Sequence, residues 1–115
     1  MANNYFKYYT DWYNVYIFDA VNLKFVHITH EVANYTSWKI IFDNAAGIRK
    51  AAGEIYYQVL YFENEPDKIV HLSVWSSHEN ARRFFESPEL VSIRERAGVK
   101  SPEFLYLEEL ESGIL

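Results

Sequence analysis

The chain has no cysteine among its 115 residues, which removes thiol nucleophiles, iron–sulfur clusters and cysteine zinc sites from consideration. That absence fits a reducing compartment, and a cytoplasmic location is expected. Basic charge is also scarce: 11 Lys and Arg stand against 16 Asp and Glu, a formal net charge of −5. Such a surface is not expected to bind nucleic acid or an anionic membrane through bulk electrostatics. No apolar run approaches the ~20 residues of a membrane span. Residues 1–22 lack the basic-then-apolar layout of a secretory signal, and Asp11 and Asp19 interrupt them. The four glycines form no phosphate-binding loop, no Gly-x-Ser-x-Gly elbow and no dinucleotide fingerprint. A nucleotide, flavin or hydrolase site would have to be assembled without its usual motif.

Aromatic residues, by contrast, are abundant: ten Tyr, eight Phe and three Trp. Residues of this kind line flat ligand cavities, and they also fill cores and subunit interfaces. A chain of this length makes one domain and can bury roughly two thirds of the surface that its unfolded form exposes. It therefore needs neither a disulfide nor a structural metal to fold.

Four segments read as β-strands: Lys24–Val32, Glu54–Phe62, 69–75 and 103–110. A half-exposed antiparallel strand alternates apolar and polar residues. Segment 69–75 instead places Val70, Leu72 and Val74 on one face and Ile69, His71, Ser73 and Trp75 on the other. Two helical stretches can cover one face of such a sheet. The other face needs a further cover, which a second copy of the chain would provide, so a symmetric homodimer is expected.

Residues 1–22 form a separate zone crowded with Tyr5, Tyr8, Tyr9, Trp12, Tyr13 and Tyr16, read as an arm that packs on its own domain or on a partner subunit. The remainder, 23–115, reads as the domain proper. A first helix is predicted over 35–52, capped by Asn34 or Thr36, with Tyr35, Trp38, Ile41, Phe42, Ala45, Ile48 and Ala52 on one stripe and Gly53 as its stop. Arg49 and Lys50 then sit at its negative end. A turn-forming loop at 63–67 makes strands two and three a hairpin. Beyond strand three, Ser76-Ser77-His78-Glu79 offers a capping box for a short helix carrying Ala81, Phe84 and Phe85. Ser87-Pro88-Glu89 starts another helix, which buries Leu90, Ile93 and Ala97 and ends at Gly98. The order β-α-β-β-α-β, with its second helix broken in two, is the ferredoxin-like α+β pattern around a four-stranded antiparallel sheet.

The run His30-Glu31-Val32-Ala33-Asn34-Tyr35-Thr36-Ser37-Trp38-Lys39, followed by Phe42-Asp43 and Arg49-Lys50-Ala51-Ala52-Gly53, resembles the opening of antibiotic-biosynthesis-monooxygenase-like proteins. Trp75, Ala81-Arg82-Arg83-Phe84, Ser87-Pro88-Glu89-Leu90, Arg96-Ala97-Gly98-Val99 and Tyr106-Leu107-Glu108-Glu109 extend the resemblance to about residues 24–110. It implies a dimeric α/β barrel, in which two four-stranded sheets face each other with helices outside. Members include cofactor-independent monooxygenases of polycyclic phenols, whose substrate lies between sheet and helices, and haem-degrading enzymes. Trp75-Ser76-Ser77 resembles the Trp segment of the haem-degrading members. This chain, however, has no Asn between Lys24 and Val32, is apolar near Phe85 where the iron ligand would fall, and has His78 too early. Haem degradation is not expected, and no cofactor is.

Among groups able to exchange protons near neutrality, the histidines come first. His30 aligns with a His of the family opening and is the candidate catalytic residue, as a cavity base or as a hydrogen-bond donor to a phenolic ligand. It also reads as a core-edge His that ties down a loop. His27 and His71 are placed on the dimer-side face, on neighbouring strands where they could approach each other. Trp38, Phe42, His71, Trp75 and Tyr106 are the candidate ligand-binding residues, although Trp38, Phe42 and Trp75 also read as plain core. Strict alternation puts Trp75 on the dimer side, while strand twist leaves its face open. No metal site is expected: His27 and His30 point to opposite faces, and His27 and Glu31 stand roughly 13 Å apart. Arg82, Arg83, Arg94 and Arg96 read as a solvated helix face with Glu partners.

Two functions follow. The first is a cofactor-independent monooxygenase acting on an aromatic or polyphenolic small molecule. The second is a non-enzymatic dimer that binds a small molecule or supports another protein.

Overall fold

A computed structural model of the chain describes residues 23–115. The arm expected over residues 1–22 lies outside the described residues. Eight elements follow in order: β1 (Lys24–Val32), α1 (Tyr35–Asn44), α2 (Ala46–Ala52), β2 (Glu54–Phe62), β3 (Glu65–Trp75), α3 (His78–Phe85), α4 (Pro88–Arg96) and β4 (Val99–Glu108). The strands form one antiparallel sheet in the order β2-β3-β1-β4, the ferredoxin-like arrangement.

Local chemistry sets the element ends. The Asn34 side chain accepts from the Ser37 N–H at 2.9 Å and starts α1. Ser77, one residue later than the expected Ser76, accepts from the Asn80 N–H and caps α3. Ser87 caps α4 by accepting from the Leu90 N–H, with Pro88 in the first turn. Gly53, at φ +125°, turns the chain from α2 into β2, and Gly98, at φ +76°, turns it from α4 into β4.

The helix predicted over 35–52 is interrupted at Ala45, whose N–H reaches the carbonyls of both Ile41 and Phe42. Inward of the break, Arg49 is buried while Ile48 remains on the surface. β3 begins four residues earlier than expected, and a tight turn with Asn64 at φ +69° replaces the loop at 63–67. β4 begins at Val99 and carries Pro102 inside it. Pro102 is tolerated because β4 is an edge strand, next to a register shift opposite Thr29 to Glu31.

Pairing fixes the two faces of the sheet. One presents the rows Tyr61-Ile69-His30, Val59-His71-Ile28-Phe104 and Tyr57-Ser73-Val26-Tyr106 toward the helices. The opposite face carries Leu60-Val70-Thr29, Gln58-Leu72-His27-Leu105 and Tyr56-Val74-Phe25-Leu107. Two cores fill the helix side: Val26, Ile28, Trp75, Ala81, Phe85 and Leu90 in one, and Val32, Trp38, Phe42, Ile69 and Ala97 in the other.

His71 is thus on the helix side, contrary to its expected place on the dimer side. It pairs opposite Ile28, which points to the helices, whereas His27 pairs opposite Leu72 on the far face, so the two histidines do not meet. A buried ion partner, described below, lets an imidazole occupy the core where alternation alone favoured the Val70-Leu72-Val74 face. Trp75 also faces the helices, among Phe84 and Phe85. No helix among the described residues is long and apolar enough to cross a membrane.

Candidate functional site

Between the sheet and the helices lies a cavity of about 70 Å³. Ile28, His30 and His71 form its floor, Trp38, Ile41 and Phe42 of α1 one wall, and Phe84, Phe85, Ile93 and Arg94 of α3 and α4 another. Most of that lining is apolar. The polar exceptions are two imidazoles and the guanidinium groups of Arg49 and Arg94.

His30 is 6% exposed, and neither ring nitrogen has a hydrogen-bond partner among the described residues. Its ring lies 5.5 Å from that of Trp38, which stacks on Phe42 at 4.8 Å. Burial foremost, then the electrostatic influence of neighbouring His71 and Arg94, lowers its pKa from 6.5 to about 4. At neutral pH it is an uncharged imidazole with one donor and one acceptor directed into an apolar enclosure. A buried polar side chain left unpaired costs about 1–3 kcal/mol, so an occupant that pairs with it is favoured.

His71 is satisfied differently. Its Nε2 lies 2.8 Å from Glu54 Oε2, and Arg49 Nε donates to Glu54 Oε1 at 2.6 Å. All three side chains are buried. The Arg49 guanidinium also donates to the Phe42 carbonyl and lies 3.8 Å from the centre of the Phe42 ring. A β-bulge brings Glu54 inward: Glu54 and Tyr56 pair with the consecutive residues Trp75 and Val74, so Ile55 is the extra residue. With plain alternation Glu54 would share the outer face with Tyr56.

Arg94 donates to the Phe85 carbonyl at 2.8 Å and reaches the cavity, and burial lowers its pKa. Among the described residues it makes no ion pair. That corrects its reading as part of a solvated face, whereas Arg83 does pair with Glu79 on the surface.

Of the six residues singled out in the sequence, His30, Trp38, Phe42 and His71 line the cavity. Trp75 sits behind it: its indole N–H donates to Ser73 Oγ at 2.8 Å, and its ring packs on Phe84 and Phe85. Tyr106 lies to one side, against His78 and under the Arg82 guanidinium, and burial raises its pKa. Sequence reasoning missed Arg49, Glu54 and Arg94. For the two arginines a signal was present, since Arg49 follows Phe42 by seven residues and Ala45 by four, and Arg94 follows Leu90 by four, all stripe positions; Glu54 had none, because alternation sends it outward. Among the described residues no three metal-ligating side chains cluster.

A ferredoxin-like domain with its helices on one face and a cavity beneath them has the fold of the antibiotic-biosynthesis-monooxygenase-like proteins. SnoaB, a cofactor-independent oxygenase from Streptomyces nogalater, matches with a TM-score of 0.64 at 15% identity, over 79% of this chain and 95% of that one. A candidate antibiotic biosynthesis monooxygenase from Caulobacter crescentus CB15 matches with a TM-score of 0.62 at 18% identity, over 78% and 92%. Rv0793 from Mycobacterium tuberculosis matches with a TM-score of 0.57 at 13% identity, over 79% and 99%. Identities this low establish the shared fold. No family model and no curated protein sequence matches the chain.

Proposed function

We propose that the chain is a cofactor-independent monooxygenase-like protein that takes an aromatic, phenolic small molecule into the cavity between sheet and helices. The observation that carries this reading is His30: a neutral, buried imidazole, with both nitrogens unpartnered among the described residues, on the floor of an aromatic enclosure. Of its two expected roles, hydrogen bonding to a phenolic oxygen suits that environment better than accepting a proton. Trp38 and Phe42 provide flat surfaces for a ring to lie against. The described relatives add support at the level of fold, since one of them, SnoaB, is a cofactor-independent oxygenase. The assembly that goes with this reading is a homodimer, with the outer sheet faces of two copies packed into a barrel.

One observation favours the second reading, a dimer that binds or scaffolds without catalysis. The cavity, at about 70 Å³, is well below the ~300 Å³ at which ligand pockets usually begin, so a polycyclic compound requires α1 side chains to move aside. Oxygen-electrode assays with a hydroxyanthrone separate the two. Oxygen uptake by the wild type that is lost in a folded His30→Ala variant is the expected result. Equal turnover by the variant removes His30 from the reaction, and no uptake by either protein favours the non-catalytic dimer.

A further inference from the structure

Resting on the reading of the cavity as a phenol site, we infer that His71 is the proton acceptor of that site and that Glu54 and Arg49 are its positioning residues. A carboxylate can only accept, so the 2.8 Å contact with Glu54 Oε2 commits His71 Nε2 as the donor. In the neutral ring the lone pair then belongs to Nδ1, and His71 lines the cavity. Arg49 holds the other carboxylate oxygen at 2.6 Å and is itself held against the Phe42 carbonyl and ring. The carboxylate therefore has no freedom to turn away. A side-chain acid that orients an imidazole and compensates the charge it gains is a general device for proton transfer.

The step is a simple transfer. The phenolic O–H bond breaks, its electron pair stays on oxygen as phenolate, and a new N–H bond forms at His71 Nδ1. The ring becomes imidazolium, with its Nε2–H still donated to Glu54. Arg94, which reaches the cavity without an ion partner among the described residues, stands available to the phenolate. Groups facing His71 from the packed elements are Glu54 and Tyr57 of β2, Arg49 of α2 and His30 of β1. Of the two imidazoles in the cavity, only His71 has a counter-charge in place. That division assigns proton transfer to it and hydrogen bonding to His30.

Two measurements test the assignment. The first is histidine ring ¹⁵N NMR of the ligand-free wild type at neutral pH. It should show His71 with its proton on Nε2, and a proton on Nδ1 instead would overturn the inference. The second is absorbance of 4-nitrophenol bound to the protein at a pH where the free phenol is mostly neutral. The phenolate-to-phenol ratio should rise at least tenfold on binding. It should return to the solution ratio in His71→Asn, which leaves the Arg49–Glu54 pair intact, and in Glu54→Gln. Saturable binding with no change of ionisation in the wild type overturns the base assignment while leaving the phenol site standing. Absence of saturable binding overturns both.

Discussion

His30 is the residue at which burial and chemistry conflict most openly. Its folded pKa of about 4 lies below the 6.5 of an unperturbed imidazole. Between those two values the unfolded chain holds a proton that the native chain does not, so stability rises with pH across that window and falls as the solution is acidified. The full shift corresponds to at most ~3 kcal/mol. Urea midpoints measured from pH 7 down to pH 4 should therefore drop more steeply for the wild type than for His30→Leu. That variant should also be the more stable by about 1–3 kcal/mol near pH 5, since it removes two orphaned polar atoms. Identical pH profiles would mean that folding leaves the His30 pKa unchanged, which would contradict its burial as an isolated imidazole. His30 was legible in the sequence as a polar residue at a strand end beside a helix, but its isolation was not, because that depends on which neighbours fail to reach it. Glu54 was illegible for a related reason. Strand alternation sends it outward, and nothing in the local sequence announces the bulge at Ile55 that brings it in.

At the scale of elements, order and type followed from periodicity and punctuation, while boundaries and phase did not. Asn34, Ser87, Pro88, Gly53 and Gly98 each act where turn and capping chemistry placed them. The helix predicted over 35–52 broke because tertiary packing overrode its stripe. Arg49 is buried against Phe42 and Glu54, and the chain turns at Ala45 to present it. The junction after α2 is the tightest point in this region. Gly53 has φ +125°, and a Cβ there would stand 2.5 Å from Ser76 Oγ and 3.5 Å from Asn80. Gly53→Ala should cost about 1–3 kcal/mol in chemical denaturation, because an L side chain is strained at that φ wherever the Ser76 hydroxyl turns. A cost below that of an ordinary surface change would show that the junction relaxes, and that Glu54 is not held in register by it.

For the whole molecule, the decisive property is a sheet that is apolar on both sides. Helices α1–α4 clothe one side and create the cavity. On the other, Leu105 and Leu107 are each 43% exposed and Leu60 is 44% exposed, with Val70, Leu72 and Phe25 between their strands. This much was legible from segment 69–75 alone, although the sequence reading assigned His71 to the wrong side. A charged residue in the middle of the outer face should disrupt association without touching the cavity, so Leu105→Lys is expected to yield smaller particles that retain the helix-side core. Sedimentation equilibrium of the wild-type chain at micromolar concentration is the most direct test of the account as a whole. The expected mass is that of two chains, shifting toward one chain in Leu105→Lys. A wild-type mass of one chain, undisturbed across that concentration range, would contradict the claim that the sheet's second face is completed by another copy.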